Sequence, residues 1–217
     1  MPLTRRALGA GAALGVVAGC STLRSPVAAL AGASPQERWA QVLRDRVDDG
    51  GRVDFDGIAR DPGPLDAYVA HIAETPPDSI ADRNARLAYL VNSYNALSMW
   101  SVVQQGIPER LTLLGRAGFF KLTRATVGGR AISLYDYEND VIRPFGEERV
   151  HFALNCMVVS CPRLPRVPFT AAGLDRELGA AERLFFSEPR NLVVDGARRA
   201  MCVSAILDFY TEDFLAK

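Results

Sequence analysis

The chain carries no charge excess of either sign: its 217 residues include 25 lysines and arginines against 25 aspartates and glutamates. Without a basic surplus to neutralise phosphates, a dedicated nucleic-acid binder is not expected. No apolar run approaches the roughly 18 residues that a membrane-spanning helix needs. Internal repeats and low-complexity tracts are missing, and helices and strands do not alternate in a regular βαβ rhythm. Histidine and cysteine are scarce, at two and four residues, so imidazole or thiol chemistry has few places to sit. What remains, 48% hydrophobic and 23% charged, is the composition of one globular domain.

The first twenty residues read as an address. Arg5 and Arg6 precede an apolar stretch, Ala7 to Gly19, that ends at Cys20, the order of a bacterial export signal. Val17-Ala18-Gly19-Cys20 resembles a lipobox, at which the signal is cut and the new N-terminal cysteine acylated. Thr4-Arg5-Arg6-Ala7-Leu8 resembles a twin-arginine signal, although two arginines also serve an ordinary secretory n-region. Ala29-Leu30-Ala31 has the form of an alternative cleavage site that would discard Cys20. Cutting before Cys20 removes two arginines and no acid, leaving 23 basic against 25 acidic side chains. Such a surface has little electrostatic hold on anionic lipid, so attachment rests on the acyl chains. Ser21 beside the cysteine points to the outer membrane. Residues 1–19 are therefore read as the signal, 20–33 as the lipidated cysteine and an Ala/Ser/Gly-rich tether, and 34–217 as the domain.

Ser34-Pro35-Gln36-Glu37 predicts a capped helix running to about Asp49, stopped by Gly50-Gly51. A short strand is expected over Arg52 to Phe55, and a helix over Leu65 to Glu74. Asp82 to Gln105 has neither proline nor glycine, and its apolar residues go nearly all round the wheel, which predicts a buried central helix. Ala125 to Ile132 reads as a hairpin about Gly128-Gly129, after which Ser133 caps a helix to about Arg143. The alternation of Val150, Phe152 and Leu154 favours a strand over Arg149 to Asn155, with a helix as the alternative. A helix over Leu174 to Phe186, a hairpin about Asp195-Gly196 and a final helix opened by Ser204 complete an α+β single domain.

Chemistry is concentrated in HFALNCMVVSCPRLP, which gathers His151, Cys156 and Cys161. On a strand, His151 can lean toward a thiol in the following loop, take its proton and create a nucleophilic thiolate. Pro162 suits the first turn of a short helix whose amides would also favour a thiolate at Cys161. Plainer readings stand beside that one. Cys156 and Cys161 can pair as a disulfide in an oxidising envelope, Cys156 and Cys202 can be small buried apolar residues, and a zinc site on His151, Cys156 and Cys161 would need a fourth ligand. Asn92 and Asn95, three apart on the central helix, either tie loops to it or orient His151 and bind an oxyanion. Glu138 and Arg143 read as an ion pair or loop anchor, Asp208 and Asp213 as solvated or capping groups, and His71 as a surface or packing residue.

The segments Leu90 to Leu97, Ile132-Ser133-Leu134 with Tyr137-Glu138, Val150 to Cys156 with Ser160-Cys161-Pro162, and Asp208-Phe209-Tyr210 before Asp213-Phe214 resemble the successive motifs of the domain of unknown function 547 family, from about Trp39 to Phe214. The resemblance marks Asn92, Tyr94, Asn95, Glu138, His151, Cys156, Cys161 and Pro162 as motif positions. Met157-Val158-Val159 departs from the small or polar residues the family tends to have there. Because the family carries no general reaction, the resemblance implies none.

Two functions are expected from these residues. One is an envelope acyl or amide hydrolase or transferase with Cys161 as nucleophile, His151 as base, and Asn95, Asn92 and Glu138 in support. The other is a non-enzymatic binding or scaffolding lipoprotein in which Cys156 and Cys161 are structural. Neither requires a cofactor or a metal. The expected partners are a small-molecule or envelope substrate and the membrane, reached through the N-terminal lipid, on the periplasmic side of the envelope.

Overall fold

A computed structural model describes residues 21–27, 32–108, 115 and 117–215. The export signal, Cys20 and the alternative cleavage site at 29–31 lie outside the described residues. Strand β1, Ser21–Thr22, is followed by helices α1 (Pro35–Arg46), α2 (Phe55–Arg60), α3 (Gly63–Glu74) and α4 (Arg83–Gln104), then strands β2 (Thr123–Val127) and β3 (Arg130–Ser133). Helix α5 (Leu174–Ser187), strands β4 (Leu192–Asp195) and β5 (Ala200–Val203), and short helices α6 (Ile206–Phe209) and α7 (Thr211–Leu215) follow. β1 pairs parallel to β2, which pairs antiparallel to β3, and β4–β5 form a separate antiparallel hairpin. The architecture is α+β around one hydrophobic core. Among the described residues, no helix is long and apolar enough to cross a membrane.

α4 is the axis. Asp82 caps it through a 2.7 Å bond from the Ala85 N–H, and every residue from Leu87 to Val102 is buried. α1 and α3 pack together and α3 lies on α4, with Trp39 stacked on Tyr68 at 5.4 Å. The Gly128-Gly129 turn also plugs the end of α3: its two N–H groups donate to the carbonyls of Ile72 and Ala73 at 3.0 and 2.7 Å. A Cβ on Gly128 would lie 2.4 Å from the Pro76 Cα, so this turn needs glycine for its close approach as well as for its positive φ.

Several expectations are corrected. Within the segment read as a tether, Ser21 and Thr22 pair with Thr123 and Arg124 as an added strand. α1 stops at Arg46, and the strand expected over Arg52 to Phe55 shrinks to a single bridge, Val47 to Val53. There, Asp54 accepts from Gly57 and caps α2 instead. Arg149 to Asn155 is not a strand: Glu148–Phe152 is a 3-10 helix. His151, Ala153 and Asn155 are as buried as Val150, Phe152 and Leu154, so the apolar alternation did not separate an inner from an outer face. The helix after Ser133 passes through a π-helical turn at Tyr137–Ile142, and the final helix breaks at Tyr210. Cys202, expected to be small and buried, is exposed and unpaired on β5.

The central asparagines hold loops to α4. Asn92 accepts from Trp39 Nε1 and from the Phe169 N–H, at 3.1 and 3.0 Å, and donates to the Phe169 carbonyl at 2.8 Å. Asn92→Ala leaves the buried Phe169 amide without its partners and should cost about 2–4 kcal/mol. Urea unfolding monitored by circular dichroism measures this, and a loss under about 0.5 kcal/mol would refute the role.

Candidate active site around His151

His151 is 2% exposed and is held on several sides. Its Nε2 lies 2.7 Å from Asp213 Oδ2, and its ring stacks on Tyr210 at 3.7 Å and 17°. Asp213 also receives two bonds from Arg143, 2.6 Å from Nε and 2.8 Å from Nη2. Charge-assisted bonds of this kind are about twice as strong as neutral ones, and those from Arg143 are the main cause that holds the Asp213 carboxyl below its usual pKa, with the His151 bond adding to them against the opposing effect of burial. An ionised Asp213 accepts only, so a neutral His151 carries its proton on Nε2 and its lone pair on Nδ1. Nδ1 is buried and has no hydrogen-bond partner among the described residues. Burial depresses the imidazole pKa and Arg143 assists it, outweighing the opposing bond from Asp213 and the charges of Glu138 and Asp213. The result is a neutral, oriented imidazole with an unspent base.

A cavity of about 220 Å³ adjoins it, walled by Tyr94, Glu138, His151, Cys161, Ile206 and Tyr210 among others. Glu138 projects from the π-helical turn, a local widening of the helix that is frequent at functional sites. Its two oxygens accept from the hydroxyls of Tyr94, at 3.1 Å, and of Tyr210. Burial, with the neighbouring Glu138 charge, pushes both phenols upward, so they remain protonated donors.

Cys156 and Cys161 are joined by a disulfide, and both line this cavity. The loop is closed a second time by Asn155, whose side chain accepts from the Met157 N–H and donates to the Pro162 carbonyl, both at 2.6 Å. Asn95 fastens the base of the loop to α4, donating to the Ala153 carbonyl at 3.0 Å and accepting from the Asn155 N–H at 2.7 Å.

The family described as "Protein of unknown function, DUF547" matches residues 77–186. The chain belongs to this family. Comparison with curated proteins and with solved structures gives no match. The matched stretch contains Asn92, Tyr94, Asn95, Glu138, His151, Cys156 and Cys161, and ends before Tyr210 and Asp213.

Of the residues singled out from the sequence, Glu138, His151 and Cys161 meet at one cavity. Asn92 and Asn95 do not join them: their amides bond backbone groups and Trp39, and the group that orients His151 is Asp213. Cys161 is bonded to Cys156, so its use as a nucleophile requires that bond to open. No group of three or more His, Cys, Asp or Glu side chains able to hold a metal occurs among the described residues, and Cys156 and Cys161 are bonded to each other. Arg143 pairs with Asp213 and not with Glu138, and Asp213, half-buried, is a partner of Arg143 and His151 and not a free surface group. The sequence reading missed Asp213 and Tyr210 as site residues, although both sit in the Asp208-Phe209-Tyr210 to Asp213-Phe214 motif that carried the resemblance.

These shifts fix the acid response. His151, held below its ordinary 6.5, binds a proton less readily folded than unfolded, so its contribution is complete above pH 6.5 and is lost as pH falls from there toward the folded pKa. Asp213, held below its ordinary 3.8, adds a second loss at more acid pH, in the same direction. Melting temperature should therefore fall between about pH 7 and pH 5 in the parent and fall less in His151→Gln; parallel profiles would refute the assignment.

Proposed function

We propose that this chain is an exported, lipid-anchored envelope protein whose domain catalyses acyl or amide transfer through Cys161 once its bond to Cys156 is reduced. The observation that carries the reading is the pair of buried His151 with half-buried Asp213, in which the unspent Nδ1 belongs to a ring walling the same cavity as Cys161. A dithiol donor opens the disulfide and is itself oxidised, leaving two thiols. His151 takes the Cys161 proton, and the thiolate attacks a carbonyl carbon to form a thioester. The imidazolium, stabilised by Asp213, returns the proton to the leaving group, and water or an acceptor nucleophile then releases the acyl group.

In the Cys156→Ser variant, Cys161 is free without added reductant, and site-resolved mass spectrometry of alkylated peptides should find it modified at neutral pH roughly tenfold faster than in a variant that also carries His151→Gln. A thiol-reactive acyl probe should label the first and fail on a Cys161→Ala variant. Equal alkylation rates, or an acyl label that survives Cys161→Ala, would sink the enzymatic reading.

A second reading, a non-enzymatic scaffold, is favoured by the disulfide together with the double closure of its loop by Asn155. It makes the bond structural, so Cys161→Ala would lower stability while a complementation assay still reads function. A stable but inactive Cys161→Ala protein is the result expected of the enzyme.

The anchor rests on the lipobox-like Val17-Ala18-Gly19-Cys20. Cells fed labelled palmitate should incorporate it into the chain and lose it with Cys20→Ala, which should also shift the protein from the membrane to the soluble envelope fraction. A parent chain that takes up no label overturns this part of the proposal.

A further inference from the structure

A second cavity, about 590 Å³, shares Cys161 and Pro162 with the cavity at His151 but holds a different set of charges. Arg52, Arg163 and Arg190 line it against one carboxylate, Glu188. Glu188 is 8% exposed and is spent on two of these cations, accepting from Arg163 Nε and, at 2.9 Å, from Arg190 Nε. Burial alone would raise its pKa, and the bonds from Arg190 and Arg163 outweigh that and hold it low, so it stays ionised. Each nitrogen of Arg190 is engaged, since the remaining two donate to the Val159 and Cys161 carbonyls. The two Nη groups of Arg163 and the whole guanidinium of Arg52 have no partner among the described residues.

The backbone builds this juxtaposition deliberately close. Gly51 has a positive φ, and a Cβ there would lie 2.7 Å from the Arg163 Cβ, so the turn that carries Arg52 rests directly on Arg163. Asp48 lies in the same turn, but its carboxylate accepts from the Arg52 N–H at 2.8 Å and does not line the cavity. Val53, Phe55, Met157 and Val158 supply an apolar wall beside the arginines. Two unspent guanidiniums beside such a wall match a ligand that is charged at one end only.

We propose that this cavity binds an amphiphilic carboxylate, with Arg52 and Arg163 holding the carboxylate and Val53, Phe55 and Met157 covering its apolar segment. The site is formed with the disulfide closed and does not depend on the thiol chemistry proposed above. Isothermal titration of the oxidised full chain with N-octanoylglycine tests it, with the uncharged N-octanoylglycinamide and inorganic phosphate as comparison probes. The acid should saturate one site and bind roughly tenfold more tightly than either the amide or phosphate, the difference expected of one charge-assisted pair. Arg52 is exposed, so Arg52→Gln should fold like the parent and weaken the acid alone by about tenfold. Arg163→Gln should weaken it as well, but it also strips a partner from buried Glu188, so Arg52→Gln is the decisive variant. Equal affinity for acid and amide, phosphate binding as tight as the acid, an Arg52→Gln protein that binds like the parent, or no binding at all would each overturn the proposal.

Discussion

The side-chain amide of Asn95 is the joint on which the site depends. It rises from the middle of α4, where nearly everything around it is apolar, and bonds to the Ala153 carbonyl and the Asn155 N–H. Those groups bracket the segment between His151 and the disulfide loop. An amide in such surroundings is costly unless it is hydrogen-bonded, and the backbone groups it meets are equally costly to leave alone. Each satisfies the other, so the irregular chain from 148 to 162 is fixed to the most rigid element of the fold although it has no sheet or long helix of its own. Asn92 does the same for the loop at Phe169.

On that support, electrostatics decides the state of the imidazole. Burial removes the water that would stabilise an imidazolium, while Asp213 would stabilise one. Burial is the larger effect and prevails, and Arg143, which also occupies Asp213 with two strong bonds, adds a smaller push in the same direction. The carboxylate orients the ring without charging it, a division of labour familiar from triads in which an acid fixes the tautomer of a histidine base. Glu138 lies in the same neighbourhood, but its oxygens are held by two tyrosine hydroxyls. Two carboxylates a short distance apart thus face different partners, one a guanidinium and an imidazole, the other two phenols.

The disulfide loop separates two unlike environments. On the His151 side the cavity is small, walled by phenols and the imidazole; on the other it is larger, with three guanidiniums and an apolar wall. Asn155 and Arg190 brace the loop from within and without, through the Pro162, Val159 and Cys161 carbonyls. With the disulfide closed, the arginine-lined cavity reaches Cys161.

Local signals in the sequence gave the regular elements because their causes are local. Ser34, Pro35 and Glu37 close a capping box within one turn, Gly128-Gly129 turns a hairpin, and a stretch without proline or glycine and apolar all round can only be a buried helix. The co-location of His151, Glu138 and Cys161 was legible through the family resemblance and the short spacing of the HFALNC and SCP segments. Asp213 was not: it stands 62 residues from His151, in a segment that reads as a surface helix, and nothing in its immediate neighbours announces a guanidinium and an imidazole as its partners. Nor was the meeting of Arg52 with Arg163, which depends on a glycine turn pressed against a distant backbone. The sequence by itself determined the α+β class and the central helix, since caps, turns and hydrophobic period act over a few residues. Only the tertiary structure decided which charges face one another, because that pairing depends on chain-distant groups brought together and on the water excluded between them.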